Sequence, residues 1–275
     1  MPPRPILRAS RDGLVLAGLL FGVYLFVVVA PAQGTFGFDA YAYWSAGAGD
    51  PYAVTAGRLG AFTYTPVLAF LFAPFQLLPW WQFAWLWTAL LLATTVWLGW
   101  RWTLAVLAFP PVAIELYHGN VHLLLAAAIV LGFRYPAAWA FVLLSKVTPA
   151  VGLTWFVVRR EWCHLAIALG VTAALVAVSV VLDLARGGGL WAGWLASISS
   201  TAGGTPLNQT SIPVPLLVRF PAALVLVAWG ARTDRTWTVP VAATLALPVL
   251  WVSGLSMLAA LAPILQRRPG LTDRG

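Results

Sequence analysis

The sequence predicts an all-α, polytopic integral membrane protein, and three observations carry that prediction. Of the 275 residues, 61% are hydrophobic and only 9% are charged, against roughly 45–50% and about 25% in soluble domains. With a mean hydropathy of +0.87, the chain has more apolar surface than one aqueous core can hide, so the bilayer must act as solvent. Charge-free apolar runs also recur along the chain, many near the ~20 residues of helix that cross a ~30 Å hydrocarbon core. The net charge of +8 does not mark a nucleic-acid binder, because the basic residues are scattered singly and in pairs. That distribution fits anchoring by the positive-inside rule.

The segments follow in order. Arg4, Arg8 and Arg11 precede the first apolar run, 14–30, and Ala30-Pro31-Ala32 ends it. A secretory signal peptide shares this pattern. Because further apolar runs follow, an uncleaved signal anchor with a cytoplasmic N-terminus is favoured, which places a first loop, 32–61, outside. Runs 62–79 and 81–100 flank Pro79-Trp80-Trp81, an interfacial aromatic signal. Runs 102–114 and 120–133 are short, and 135–158 is interrupted by Lys146 and Pro149. Runs 163–182 and 213–230 read as helices, and 236–265 reads as one broken helix or two short ones, because it contains Pro240 and Pro248.

The total is about eight to ten membrane segments in a single domain, 1–275. Arg159-Arg160 and Arg232 with Arg235 bracket a hairpin whose connecting loop, 186–212, lies outside. Arg101 and Arg134 obey the same rule only if some short segments are half-helices that turn back. Proline-interrupted segments are tolerated at membrane depth where they line a cavity or are buried in protein, so a polar cavity is expected around 110–150. The single cysteine, Cys163, excludes an intramolecular disulfide.

Several residues stand out chemically. The first loop carries "FDAYAYWSAGAGDPY", residues 38–52, with two of the chain's eight acids. Asp39 follows the first span closely, and a desolvated carboxylate there is a candidate general base; a loop acid or helix cap is the plainer alternative. Tyr41, Tyr43 and Trp44 supply flat faces and polar handles suited to sugars. Asp50 precedes Pro51-Tyr52, a turn signature, and reads as a cap.

Lys146, the only lysine among sixteen basic residues, interrupts an apolar segment in "LLSKVTPAV". A compact point charge at that depth fits phosphate binding, with a snorkelling side chain as the alternative. "YHGNVHLLL" places His118 and His122 at i, i+4, a spacing that forms a metal pair on a helix. No third ligand accompanies them, so a cavity hydrogen bond is favoured for His118 and plain loop polarity for His122. In "TPLNQTSIPVPLLVRF", Asn208 and Gln209 are candidate ligand-orienting amides, and Arg219 shares the phosphate logic of Lys146. Asn208-Gln209-Thr210 also matches a glycosylation pattern, accidental in a bacterial chain. The sequence contains no phosphate-binding glycine loop, no G-x-S-x-G and no D-x-D pair.

"YAYWSAGAGDPY", "FTYTPVLAFLFAPFQLLP", "HGN", "SKVTP", "LNQTSIPVPLLVR" and "LALPVLWVSGLSML" occur in an order that resembles glycosyltransferase family 87. This is the GT-C group of polyprenyl-phosphate-mannose-dependent mannosyltransferases, of which the chain looks like a short member. The resemblance implies a GT-C-like helical bundle with short extracytoplasmic loop helices. It implies Asp39 as catalytic base, Lys146, Arg219 and His118 as donor-phosphate ligands, and no metal or cofactor. Tyr41, Tyr43, Trp44, Tyr64, Asn120, Asn208 and Gln209 become sugar or acceptor contacts. The implied partners are a polyprenyl-phosphate-linked sugar, a glycolipid or glycan acceptor and membrane lipids, with no nucleic acid. The expected location is the plasma membrane, multi-pass, with an extracytoplasmic active face, in a bacterium whose arginine bias indicates a GC-rich genome. A non-catalytic GT-C-like scaffold and a lipid or sugar transporter remain as alternatives.

Overall fold

The computed structural model describes residues 4–202 and 211–266, and every regular element in that range is a helix. Extended pairing among the described residues is limited to one isolated antiparallel bridge, Ser211 to Trp251. Three helices are long and apolar enough to cross a membrane: Arg8–Gln33, Trp80–Leu107 and Trp162–Ala185. A fourth candidate is the pair Pro110–His118 and His122–Gly132, bent by 113° at its break. The other apolar stretches form shorter helices, Pro66–Leu77, Pro136–Ser145, Thr148–Val158 and Ser253–Leu265, beside the 17-residue helix Leu216–Arg232. The protein is thus an all-α membrane protein that combines a few full-length helices with many shorter ones.

Proline and glycine explain the breaks. The first span ends at Gly34, whose φ of 63° closes the helix in a left-handed conformation. The second begins directly after Pro79, at the aromatic signal, and continues through the 3-10 turn Trp100–Trp102 into Thr103–Leu107, so it takes in run 81–100 and only the first part of run 102–114. Pro110, Pro136 and Pro149 each stand in the first turn of a segment, where a missing N–H costs nothing. The 236–265 run resolves as two pieces, Thr238–Leu245 and Ser253–Leu265, with Pro248 in the non-helical stretch between them.

Helix His122–Gly132 forms the centre. Leu123, Leu125 and Ile129 are fully buried, as expected of a helix that is apolar all round. Lipid tails are as apolar as leucine, so close packing and polar bonds hold such helices together. Trp139 illustrates the close packing. A Cβ added at Gly152 would lie 2.2 Å from its ring, and one at Gly132 would lie 2.5 Å from its Nε1. The first and third spans, by contrast, leave most of their apolar side chains exposed, as lipid-facing helices do.

The first loop and the 186–212 loop, both expected outside from the arginine pattern, touch one another. The 186–212 loop contains the helix Leu190–Ala202, whose first N–H groups at Leu190 and Trp191 are accepted by the Asp183 carboxylate at 3.2 and 3.5 Å. Gly193 on that helix faces Tyr52 of the first loop so closely that a Cβ would sit 3.3 Å from the tyrosine ring. Elsewhere Arg159 donates to Glu161 at 2.7 Å and to Asp234 at 3.0 Å, tying together the two basic ends that bracket the 186–212 hairpin.

Candidate functional site

The first loop carries an eight-residue helix, Phe38–Ser45, with Asp39 in its first turn, where the positive end of the helix dipole favours a carboxylate. Gly37, at φ 71°, caps this helix and donates its N–H to the Tyr117 carbonyl at 2.9 Å. The loop helix is therefore pinned to the end of Pro110–His118. Its residues divide by helical spacing. Asp39 and Tyr43, four apart, face the membrane helices, whereas Tyr41 and Trp44, three apart, pack with Trp80 at the rim. Trp44 also donates its indole N–H to the Leu78 carbonyl at 2.8 Å.

The break in the bent pair is built on Gly119. At φ 74° it adopts the left-handed conformation, and a Cβ there would meet that of Ala40 at 2.7 Å. Its carbonyl accepts from the Trp87 indole at 2.7 Å. This turn presents Asn120, whose Nδ2 donates to Asp39 Oδ2 at 2.9 Å. The Asn120 Oδ1 accepts from the Val121 N–H at 2.8 Å and from the Tyr64 hydroxyl at 3.4 Å. Tyr64 in turn shares a hydrogen bond with Tyr43 at 2.9 Å. Tyr43 is 0% exposed, so it supports the site from beneath.

A second chain of bonds lies behind the first. Glu115 and His122 are both 0% exposed. Glu115 Oε1 accepts the His122 backbone N–H at 2.6 Å, and Oε2 bonds to His122 Nδ1 at 2.9 Å. On the far side of the ring, Lys146 Nζ lies 2.7 Å from His122 Nε2. Lys146 sits at the C-terminal end of helix Trp139–Ser145. Thr65 steadies that end by donating its hydroxyl to the Leu144 carbonyl at 2.9 Å. "FTYTP" thus reaches both halves of the cluster, Asn120 through Tyr64 and the Lys146 helix through Thr65.

The two chains share one electrostatic environment. Burial pushes the Asp39 carboxyl above the usual carboxylate range. The Asn120 hydrogen bond and the His118 charge oppose that rise, Glu115 adds to it and Lys146 opposes it. His118, half-buried at the end of Pro110–His118 with its ring edge-on to Tyr117, therefore stands within electrostatic reach of Asp39.

The structure brings Asp39, His118, Asn120, Tyr43, Tyr64 and Lys146 together and leaves Arg219 elsewhere. Arg219, 6% exposed, directs its guanidinium at backbone carbonyls. It donates to Val214 at 2.7 Å, to Leu247 at 2.8 Å, to Pro248 at 3.2 Å and also to Leu245. It holds the non-helical stretch after Thr238–Leu245. Asn208 and Gln209 lie outside the described residues. Asp50 accepts the Tyr52 N–H at 2.9 Å, the turn cap its sequence implies.

Two corrections concern the histidines. His118 and His122 fall on different helices across the 113° bend, so they do not form an i, i+4 pair. His122 is not loop polarity but the middle member of a fully buried chain. Glu115 was not singled out, although an acid bordering an apolar segment carries a signal, since ionisable groups at membrane depth need partners.

The described part of this all-α membrane protein gathers a carboxylate, an amide and a lysine at its helix breaks. The family model of glycosyltransferase family 87 matches residues 62–269, well over half of the chain, and the chain belongs to that family. It is a membrane glycosyltransferase. The matched stretch takes in Glu115, Asn120, His122 and Lys146, whereas Asp39 precedes it. No curated protein and no solved structure matches the chain.

Proposed function

We propose that the protein transfers a sugar, mannose in the reading its family favours, from a polyprenyl-phosphate donor to a hydroxyl of an extracytoplasmic glycolipid or glycan, with inversion. The observation that carries this reading is the hydrogen bond from Asn120 to Asp39. It holds one oxygen of a burial-raised carboxylate and leaves the other to the acceptor. In the reaction the acceptor oxygen attacks the anomeric carbon while Asp39 Oδ1 takes the hydroxyl proton. The bond from that carbon to the phosphate oxygen breaks, and its electron pair stays on the polyprenyl phosphate.

One base suffices. A glycosidase needs a second carboxyl to protonate a poor leaving group, whereas phosphate departs as a stabilised anion and needs only cations beside it. Lys146, with His118, is suited to that task. Glu115 is the competing carboxylate, but both of its oxygens are engaged by His122, which supports Asp39 as the base. Arg219 contributes through the backbone it braces. Tyr41 and Trp44 offer ring faces for the sugar or acceptor, and the N-terminal arginines support an extracytoplasmic site.

The test is sugar transfer by purified protein from a synthetic polyprenyl-phosphate-mannose to a lipid extract. Asp39→Asn should abolish transfer while the protein remains folded and monodisperse. Undiminished transfer by that variant would remove Asp39 from the mechanism. Movement of the donor across proteoliposomes without a new glycosidic bond would point to transport instead.

A further inference from the structure

We propose that Glu115 and His122 are positioning residues for Lys146, forming a carboxylate–imidazole–ammonium chain that fixes the ammonium where a lipid-linked phosphate binds. The inference rests on the donor reading above and adds two residues to it.

The protonation pattern follows from the partners. A lysine ammonium has only hydrogens to offer, so His122 Nε2 must accept from Lys146, and the imidazole is neutral with its proton on Nδ1. That proton points at Glu115 Oε2, 2.9 Å away. The other carboxylate oxygen takes the backbone N–H of the same histidine at 2.6 Å. Both Glu115 oxygens thus bind one residue, which locks the ring in orientation and tautomer. The ring then engages one of three ammonium hydrogens, at 2.7 Å, and two remain for a ligand.

Charge neutralisation alone does not account for this arrangement. A direct Glu115–Lys146 contact would neutralise both charges and draw the ammonium down to the carboxylate. The intervening imidazole instead stands between Nζ and Glu115, and the ammonium feels the charge of Glu115 first and of Asp39 second. A free lysine side chain is rich in rotamers. Anchoring it to a buried, immobile ring removes part of that freedom before the ligand arrives, as preorganised sites do. No proton moves along the chain during transfer. Lys146 keeps its charge and meets the phosphate.

The experiment measures binding of farnesyl phosphate and of farnesol to the full-length protein in detergent micelles. Wild type should prefer the phosphate, and Lys146→Ala should lose that preference. His122→Asn retains a donor to Glu115 but does not reach Lys146. It should weaken farnesyl phosphate binding by about tenfold or more, the usual weight of a hydrogen bond to a charged group, with farnesol unchanged. His122→Gln carries an amide that donates to Glu115 and accepts from Lys146, and should restore most of the preference. Glu115→Gln, which weakens the chain from its other end, should behave like His122→Asn. Equal binding of both probes by wild type overturns the donor reading and this inference with it. A wild-type preference that survives in His122→Asn and Glu115→Gln overturns the positioning role alone. Parallel losses for both probes assign the two residues to structure and overturn it as well.

Discussion

Asn120 Nδ2 and Asp39 Oδ2 are hydrogen-bonded at 2.9 Å across 81 positions of sequence. The bond joins a loop helix beyond the first span to the turn that breaks a membrane helix. It is one of the few side-chain links between the first loop and the buried helices, and it ends on the carboxylate proposed as the base.

Removing the amide should therefore impair catalysis more than folding. Asn120→Ala is expected to lower kcat about tenfold to a hundredfold, the range for a hydrogen bond to an ionised group. Asn120→Asp should be worse, because two adjacent carboxylates cannot both ionise at neutral pH. Steady-state kinetics at fixed pH, with melting temperatures as control, distinguish the two effects.

The raised affinity of Asp39 for its proton makes a prediction about stability. Between the unfolded and folded pKa values the native state binds more protons than the unfolded chain, so stability falls as pH rises through that interval. Below the unfolded value, about 3.9, the carboxyl is neutral in both states and the cost vanishes. Asp39→Asn should accordingly raise the melting temperature at pH 7 and leave it unchanged near pH ~3. The same shift places the acid limb of wild-type transfer above the ordinary carboxylate range, since a base must be ionised to act.

Arg219 makes a contrasting prediction. Its planar fork serves four carbonyl groups at once, one at the last residue of Thr238–Leu245 and two in the stretch that follows it. A lysine, as a point donor, cannot replace it. Arg219→Lys should lower stability by about 1–3 kcal/mol for each buried carbonyl left unsatisfied. The loss should appear in thermal unfolding even without substrate, and a wild-type melting curve would contradict the bracing role.

Gly119 tests the turn itself. Its left-handed backbone and the 2.7 Å approach of an added Cβ to Ala40 combine strain with a clash. Gly119→Ala should cost about 1 kcal/mol or more and should displace Asn120 from Asp39. Activity is expected to fall further than the loss of stability alone would produce. Parallel activity and melting assays of the variant check this.

Much of the site was legible from residue type. Asp39 and Lys146 were conspicuous because a charge in apolar surroundings has few reasons to be there. Pro149 and Pro248 marked breaks for equally local reasons. Glu115 escaped notice and His122 was read as loop polarity because each, taken alone, resembles the edge of a loop. Only the bend at Gly119 turns them into one buried chain. Arg219 was recognised as unusual but referred to a ligand, because nothing in its neighbourhood of sequence announces the carbonyls of Leu245, Leu247 and Pro248.

The sequence by itself determined the membrane class and the helical architecture. These depend on composition and on runs of neighbouring residues, which the bilayer and the backbone read locally. Tertiary structure alone decided which polar groups meet. The contacts of Asp39 with Asn120, of His122 with Lys146 and of Arg219 with the carbonyls of 245–248 span 24 to 81 positions. Such contacts depend on the angle at which broken helices leave each turn, and burial away from water forces each group to find a partner.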